Sequence, residues 1–118
     1  MKKPTLQTRG RPRKKKIIHG QPCSDHFSPK GRPGELEEVV LNIEEYEAIR
    51  LQDLLCESQK KAAQLMGISQ QSFSRIVRQA RKKIADAIVN AKIIRIEGGD
   101  FVNKRTMDVA KKLRRKES

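Results

Sequence analysis

Phe73, Ile76, Val77, Ala80, Ile84, Ala87 and Ile88 recur at intervals of three and four, the strictest periodicity in the chain. That spacing puts them on one side of an α-helix and demands other elements to cover them. Gln70, Gln71, Ser74, Arg75, Arg78, Arg81 and Lys82 fall on the remaining faces. The pattern predicts a long helix capped by Ser69. Upstream, Ser58 can cap a shorter helix carrying Ala62, Ala63, Leu65 and Met66, stopped by Gly67 in the left-handed conformation usual after a last helical turn. Asn42-Ile43-Glu44-Glu45 reads as the start of a first helix, with Asn42 as cap and Glu45 in the capping-box position. It carries Tyr46, Ile49, Leu51, Leu54 and Leu55 and ends at Cys56-Glu57. Val39-Val40-Leu41 and the run Lys92 to Glu97 read as short strands, the second pairing either with the first or across a homodimer. The fold expected is mostly α, built around a helix-turn-helix with short strands.

What such a chain can enclose is limited. Of 118 residues, 36% are hydrophobic and 3% aromatic, with no Trp. A many-stranded sandwich or a large closed substrate pocket is out of reach of so small a core. Apolar runs such as Val39-Val40-Leu41 and Ile93-Ile94 are far too short to span a bilayer. Met1-Lys2-Lys3 runs into Pro4 and polar residues, not into the apolar segment of a secretory signal. A cytoplasmic protein, associated with the nucleoid, is expected.

The net charge is +13, and it is unevenly spread. Residues 1–34 hold ten Lys/Arg against Asp25, residues 35–57 hold eight acids against Arg50, and residues 58–95 hold nine bases against Asp86. An acidic block between basic ones suggests one face for a polyanion and another turned away from it. Residues 1–34 also contain all five prolines and four of the seven glycines, which reads as a basic disordered arm. Residues 35–102 form the expected DNA-binding domain, and 103–118 a basic tail with only Met107, Val109 and Leu113 to bury.

The segment Gln59 to Arg78 has the order a helix-turn-helix needs. Ala63 is small enough for two helices to approach, Gly67 turns the chain, and Ile68, Phe73 and Ile76 set the crossing. The start of the second helix is then free to enter a major groove. Gln70 and Gln71 can read an adenine edge, Ser69 and Ser74 can reach phosphate or base, and Arg75 and Arg78 can reach guanine or phosphate. The same pattern also suits an ordinary helix pair with solvated polar residues; coincidence of small residue, glycine, apolar spacing and charge favours DNA. In the arm, Arg9-Gly10-Arg11-Pro12-Arg13 resembles the AT-hook, whose extended Arg-Gly-Arg-Pro core lies in the minor groove of A·T-rich DNA. A generic phosphate-binding tail explains those residues about as well.

Other candidates are weaker. His19, Cys23 and His26 fall short of a closed zinc site, Cys23 reads as exposed, and Cys56 reads as packed at a helix end. No metal and no cofactor is expected. There is no nucleophile–base arrangement and no phosphate-cradling glycine loop, so no enzyme is expected. Glu35, Glu37, Glu38, Glu44, Glu45 and Glu47 read as a solvated or partner-facing surface.

Residues 35–101 resemble a family of small, uncharacterised, predicted DNA-binding proteins of bacteria and archaea. The resemblance lies in Glu35-Leu-Glu-Glu-Val-Val-Leu, Tyr46-Glu-Ala-Ile-Arg-Leu-Gln-Asp-Leu, Ala62-Ala63-Gln-Leu-Met-Gly-Ile-Ser, Phe73-Ser-Arg-Ile, Ala80-Arg-Lys-Lys-Ile-Ala-Asp-Ala and Arg95-Ile-Glu-Gly-Gly. That family's helix-turn-helix is similar to region four of primary sigma factors. The resemblance implies DNA binding, regulation of transcription and no enzyme activity, with Ser69, Gln70, Gln71, Ser74 and Arg75 as recognition residues. Two departures stand out: His19 to Pro33 does not closely follow the family's usual pattern, and the chain carries a basic tail where some relatives carry a further domain resembling iron–molybdenum-cofactor-binding proteins. The expected partners are double-stranded DNA and, in a homodimer, a second copy, with no membrane and no small-molecule ligand evident. The competing expectations are a sequence-tolerant nucleoid or RNA-binding protein, and an adaptor docking a basic partner on residues 35–57.

Overall fold

Three side chains open the three helices, each by accepting a backbone N–H left orphaned at a helix start. The computed structural model describes residues 15–31, 34–99 and 101–103. In chain order these form β1 (Lys16–Ile18), β2 (His26–Phe27), β3 (Glu38–Leu41), α1 (Ile43–Ile49), α2 (Gln59–Met66), α3 (Gln70–Asn90), β4 (Ile93–Ile96) and β5 (Phe101–Asn103). Asn42 and Glu45 form the full capping box of α1: Glu45 N donates to Asn42 Oδ1 at 2.8 Å and Asn42 N to Glu45 Oε1 at 2.9 Å. Ser58 Oγ accepts from Lys61 N at 3.0 Å and Ser69 Oγ from Ser72 N at 3.1 Å. Beyond Ile49 the helix widens into a π-helical turn over Arg50–Leu54, and the chain leaves it through Cys56 at φ 60. Cys56 is exposed there, not packed as its sequence position suggested, because the widened turn carries it out past the helix end.

Gly67 ends α2 at φ 70, and the N–H of Ile68 donates to Ala63 O at 3.0 Å across the turn. The turn is tight on its outer side too, since a Cβ at Gly67 would lie 3.3 Å from the Ile17 side chain. α2 and α3 then pack through Ala62, Ala63, Met66, Phe73 and Val77, joined by Ala48 and Leu51 of the first helix and its extension. A second cluster of Ile18, Leu41, Ile43, Ala80 and Ile96 seats α3 and α1 against the strands. The α3 stripe is covered as far as Ala87, but Ile88 is 73% exposed, because the helix outruns the elements packed on it.

The two expected strands do pair with each other. β3 runs parallel to β4 with Val39 opposite Ile94, the three helices forming the crossover a parallel pair requires. β2 adds antiparallel on the far side of β4, and β1 pairs in parallel with β5. After β4 the chain folds over the start of α1: Ile43 N donates to Gly98 O at 3.0 Å. Gly99, at φ +115, passes so close that a Cβ would sit 2.5 Å from Glu44 Oε1. The positive φ is the stronger demand for glycine, since the Glu44 carboxylate is the end of a flexible side chain.

Two further expectations change. Residues 15–31, assigned from sequence to a disordered arm, are packed into the domain, with Ile18 fully buried. The arm's short apolar run Ile17-Ile18 finds cover against the helices, which local patterning cannot reveal. The arm residues Arg9, Gly10, Arg11, Pro12 and Arg13 and the tail from Lys104 lie outside the described residues. Second, Glu44, Glu45 and Glu47 are buried, not solvated. Lys16 lies 3.3 Å from Glu44, and Lys83 lies 2.7 Å from Glu45. Glu47, with no solvent exposure, accepts from Arg50 at 2.7 and 2.9 Å and from the backbone N–H of His19 at 2.9 Å.

Removing the Glu47 carboxylate strands a partly buried guanidinium and orphans the His19 N–H. Glu47→Ala is expected to cost about 3 kcal/mol, in the range for breaking a buried pair on one side. Urea unfolding checks this, and a loss under 1 kcal/mol would show that the Glu47 carboxylate is not what holds β1 to the domain.

Candidate nucleic-acid interface

The N-terminal half of α3 places most of the residues singled out by sequence on the open side of the domain. Gln70, Gln71, Arg75 and Arg78 are exposed, and Ser74 is half-buried. Helical spacing puts Gln71, Arg75 and Arg78 in one row, opposite the buried Phe73, Val77 and Ala80. Ser69 is exposed, but its hydroxyl is committed to the cap, accepting from Ser72 N and lying 3.1 Å from Ser72 Oγ. Its role in the geometry is to start the helix.

The arginines divide into two kinds. Arg50 is held by Glu47, Arg81 by Asp53 at 2.7 Å, and Arg95 by Glu38 at 2.6 Å. The paired guanidiniums hold their protons more firmly, and Asp53 and Glu38 lie below the usual carboxylate range, each because of its hydrogen bond to arginine. Arg75 and Arg78 have no such partner among the described residues. Each therefore presents a full fork of donors to whatever approaches, a geometry suited to phosphate or to a guanine edge.

Lys82, which its spacing already put on a face away from the apolar stripe, is exposed and continues the row of Gln71, Arg75 and Arg78 one turn further. One feature escapes a reading of the sequence alone. A polar hollow of about 500 Å³ at the turn brings Lys16 and Gln64 beside Ser69 and Ser72. No local signal could have found Lys16, which arrives there on β1.

His19, Cys23 and His26 are not gathered into one site. His19 Nε2 lies 2.8 Å from Leu65 O, His26 sits in β2, and Cys23 is exposed in the intervening loop. Among the described residues no group of three or more His, Cys, Asp or Glu is placed to hold a metal ion. Nor is any helix among them long and apolar enough to cross a membrane.

Arg81 is anchored by Asp53 and Gln52, so it braces the first helix against α3. With its folded pKa depressed, Asp53 contributes stability above its ordinary value of 3.8 and loses it as pH falls through the lower folded value. The melting temperatures of wild type and Asp53→Asn are expected to differ at pH 6 and converge in acid. A constant difference across that range would remove the pair from the pH dependence.

Comparison with known proteins adds kinship. The family model described as protein of unknown function DUF134 matches residues 2–104. A UPF0251 protein of Thermoanaerobacter pseudethanolicus is 47% identical over 92 residues, covering 77% of this chain and 78% of its own. A UPF0251 protein of Methanococcus maripaludis strain C5 is 47% identical over 94 residues, covering 79% of this chain and 72% of its own. No solved structure matches.

Proposed function

This chain belongs to the DUF134 family, shared by bacteria and archaea under the UPF0251 name, and we propose that it is a sequence-selective double-stranded DNA-binding protein that regulates transcription. In this reading α2, the Gly67 turn and α3 are a helix-turn-helix, and Gln70, Gln71, Ser74, Arg75 and Arg78 meet the major groove. The carrying observation is the division among arginines. The fold neutralises Arg50, Arg81 and Arg95, while Arg75 and Arg78, on the exposed start of α3, have no acidic partner among the described residues. Two free forks beside two exposed glutamines match the donors and acceptors of base edges. The arm residues Arg9, Gly10, Arg11, Pro12 and Arg13 add a minor-groove or phosphate contact, and nucleoid association follows from DNA binding.

The adaptor reading loses ground on the same observation. Glu38, Glu44, Glu45, Glu47 and Asp53 are each held by a base of the chain itself, so little of the acidic block is left to recruit a basic partner.

Selection of bound fragments from random duplex DNA supplies a preferred site, and competition against random DNA and RNA then tests the proposal. Arg75→Ala and Gln71→Ala are each expected to weaken the preferred site by roughly 1–3 kcal/mol more than random DNA. Equal losses on both would reduce α3 to a phosphate contact, and tighter binding to RNA would overturn the duplex-DNA assignment.

A further inference from the structure

A groove of about 480 Å³ opens between the strands, α1 and α3. Its walls include Phe27 of β2, Tyr46 and Ile49 of α1, Ile84 of α3 and Ile94 of β4, with Cys23 in the loop before β2. Ile84 is nine residues from Arg75, half a turn round the helix after whole turns are removed, so the groove faces away from the Arg75 row. Its volume falls within the usual range of small-molecule sites.

Two properties of the lining narrow the occupant. Charged residues make up 35% of the chain, yet among the described residues none lines the groove. A charged ligand would be desolvated there without compensation. The Tyr46 hydroxyl, by contrast, has no hydrogen-bond partner among the described residues. Burial raises its pKa, with Arg50 opposing the effect and Cys23 and Glu47 adding to it, so the phenol is partly withdrawn from water. A polar group in that position is satisfied by a ligand that brings a single complementary one.

We propose that this groove binds a small uncharged aromatic molecule whose one polar group hydrogen-bonds the Tyr46 hydroxyl while its ring packs between Phe27 and Ile84. A second copy of the chain is the poorer fit. A stable interface buries on the order of 1,000 Å² or more, whereas this concavity is sized for one or two rings. The side chains the ligand would touch also seat α3: Tyr46, Ile49, Ile84 and Ile94 pack against the cluster that contains Ala80. An occupant therefore bears on the tilt of that helix, and its role as an effector of DNA binding rests on the function proposed above. Binding itself does not.

Indole, a neutral bicycle with one N–H donor, is the probe, with N-methylindole as its donor-free counterpart. Calorimetry and saturation-transfer NMR on the full chain are expected to show saturable indole binding at millimolar concentration or below, tighter than N-methylindole. Tyr46→Phe should weaken indole by about 2- to 10-fold, the worth of one net hydrogen bond, and abolish the preference over N-methylindole. Cys23→Trp, on an exposed loop, should block the groove with an unchanged melting temperature; Phe27→Ala, which removes a half-exposed wall, should weaken both probes. No saturable binding, or affinity unchanged in Tyr46→Phe and Cys23→Trp, would overturn the proposal. So would a dimer in sedimentation that Phe27→Asp dissociates, since the groove would then be an interface between copies. Arg75→Ala should leave indole affinity untouched, so failure of the DNA reading and failure of the groove are told apart.

Discussion

The Glu47 carboxylate, buried without solvent contact, is the interaction on which the arrangement of the domain turns. A carboxylate in the interior is tolerated only if its lone pairs are satisfied. Arg50 satisfies it within the first helix, and the backbone N–H of His19 satisfies it from a segment 28 residues earlier in the chain. That second bond fixes the end of β1 beside α1. The His19 ring then reaches Leu65 O in α2, and Ile17 stands against the Gly67 turn. The geometry of the α2–α3 junction is thus braced from outside by the N-terminal strand as well as from within by Ala63, Met66 and Phe73.

A related constraint shapes the surface. The acids of residues 38–53 lie where bases from distant parts of the chain reach them: Lys16 from β1, Lys83 and Arg81 from α3, Arg95 from β4. Each pair at the surface contributes little to stability. Together they decide which charges remain uncompensated. Among the described residues no acid pairs with Arg75 or Arg78, and an exposed row of like charge is what steers a polyanion. The groove lies on the opposite side of the same helix, so a single rigid element would connect the two surfaces.

Local chemistry was legible in advance to a considerable depth. Asn42, Ser58 and Ser69 cap the helices because a short polar side chain has only the adjacent N–H groups within reach. Gly67 ends α2 because the left-handed conformation is open to glycine. The pairing of β3 with β4 was legible as one of two alternatives, and Gly98-Gly99 closes that unit where the chain crosses α1. Apolar spacing placed Phe73, Val77, Ala80 and Ala87 in the core correctly. It failed at Ile88, since periodicity reports which side of a helix a residue occupies and not how far the neighbouring elements extend.

Helix starts and stops, and the row of Gln71, Arg75 and Arg78, were therefore determined by the sequence itself, because caps, turns and spacing act over a few residues. The tertiary structure alone decided the rest. Glu44, Glu45 and Glu47 look like a solvated acidic face until Lys16, Lys83 and the His19 N–H arrive to hold them. Residues 15–31 look like an arm until Ile18 is covered. The groove has no signature at all, its walls coming from β2, α1, α3 and β4. Burial of a charge and enclosure of a space both depend on groups far apart in the chain, and only the folded arrangement brings them within bonding distance.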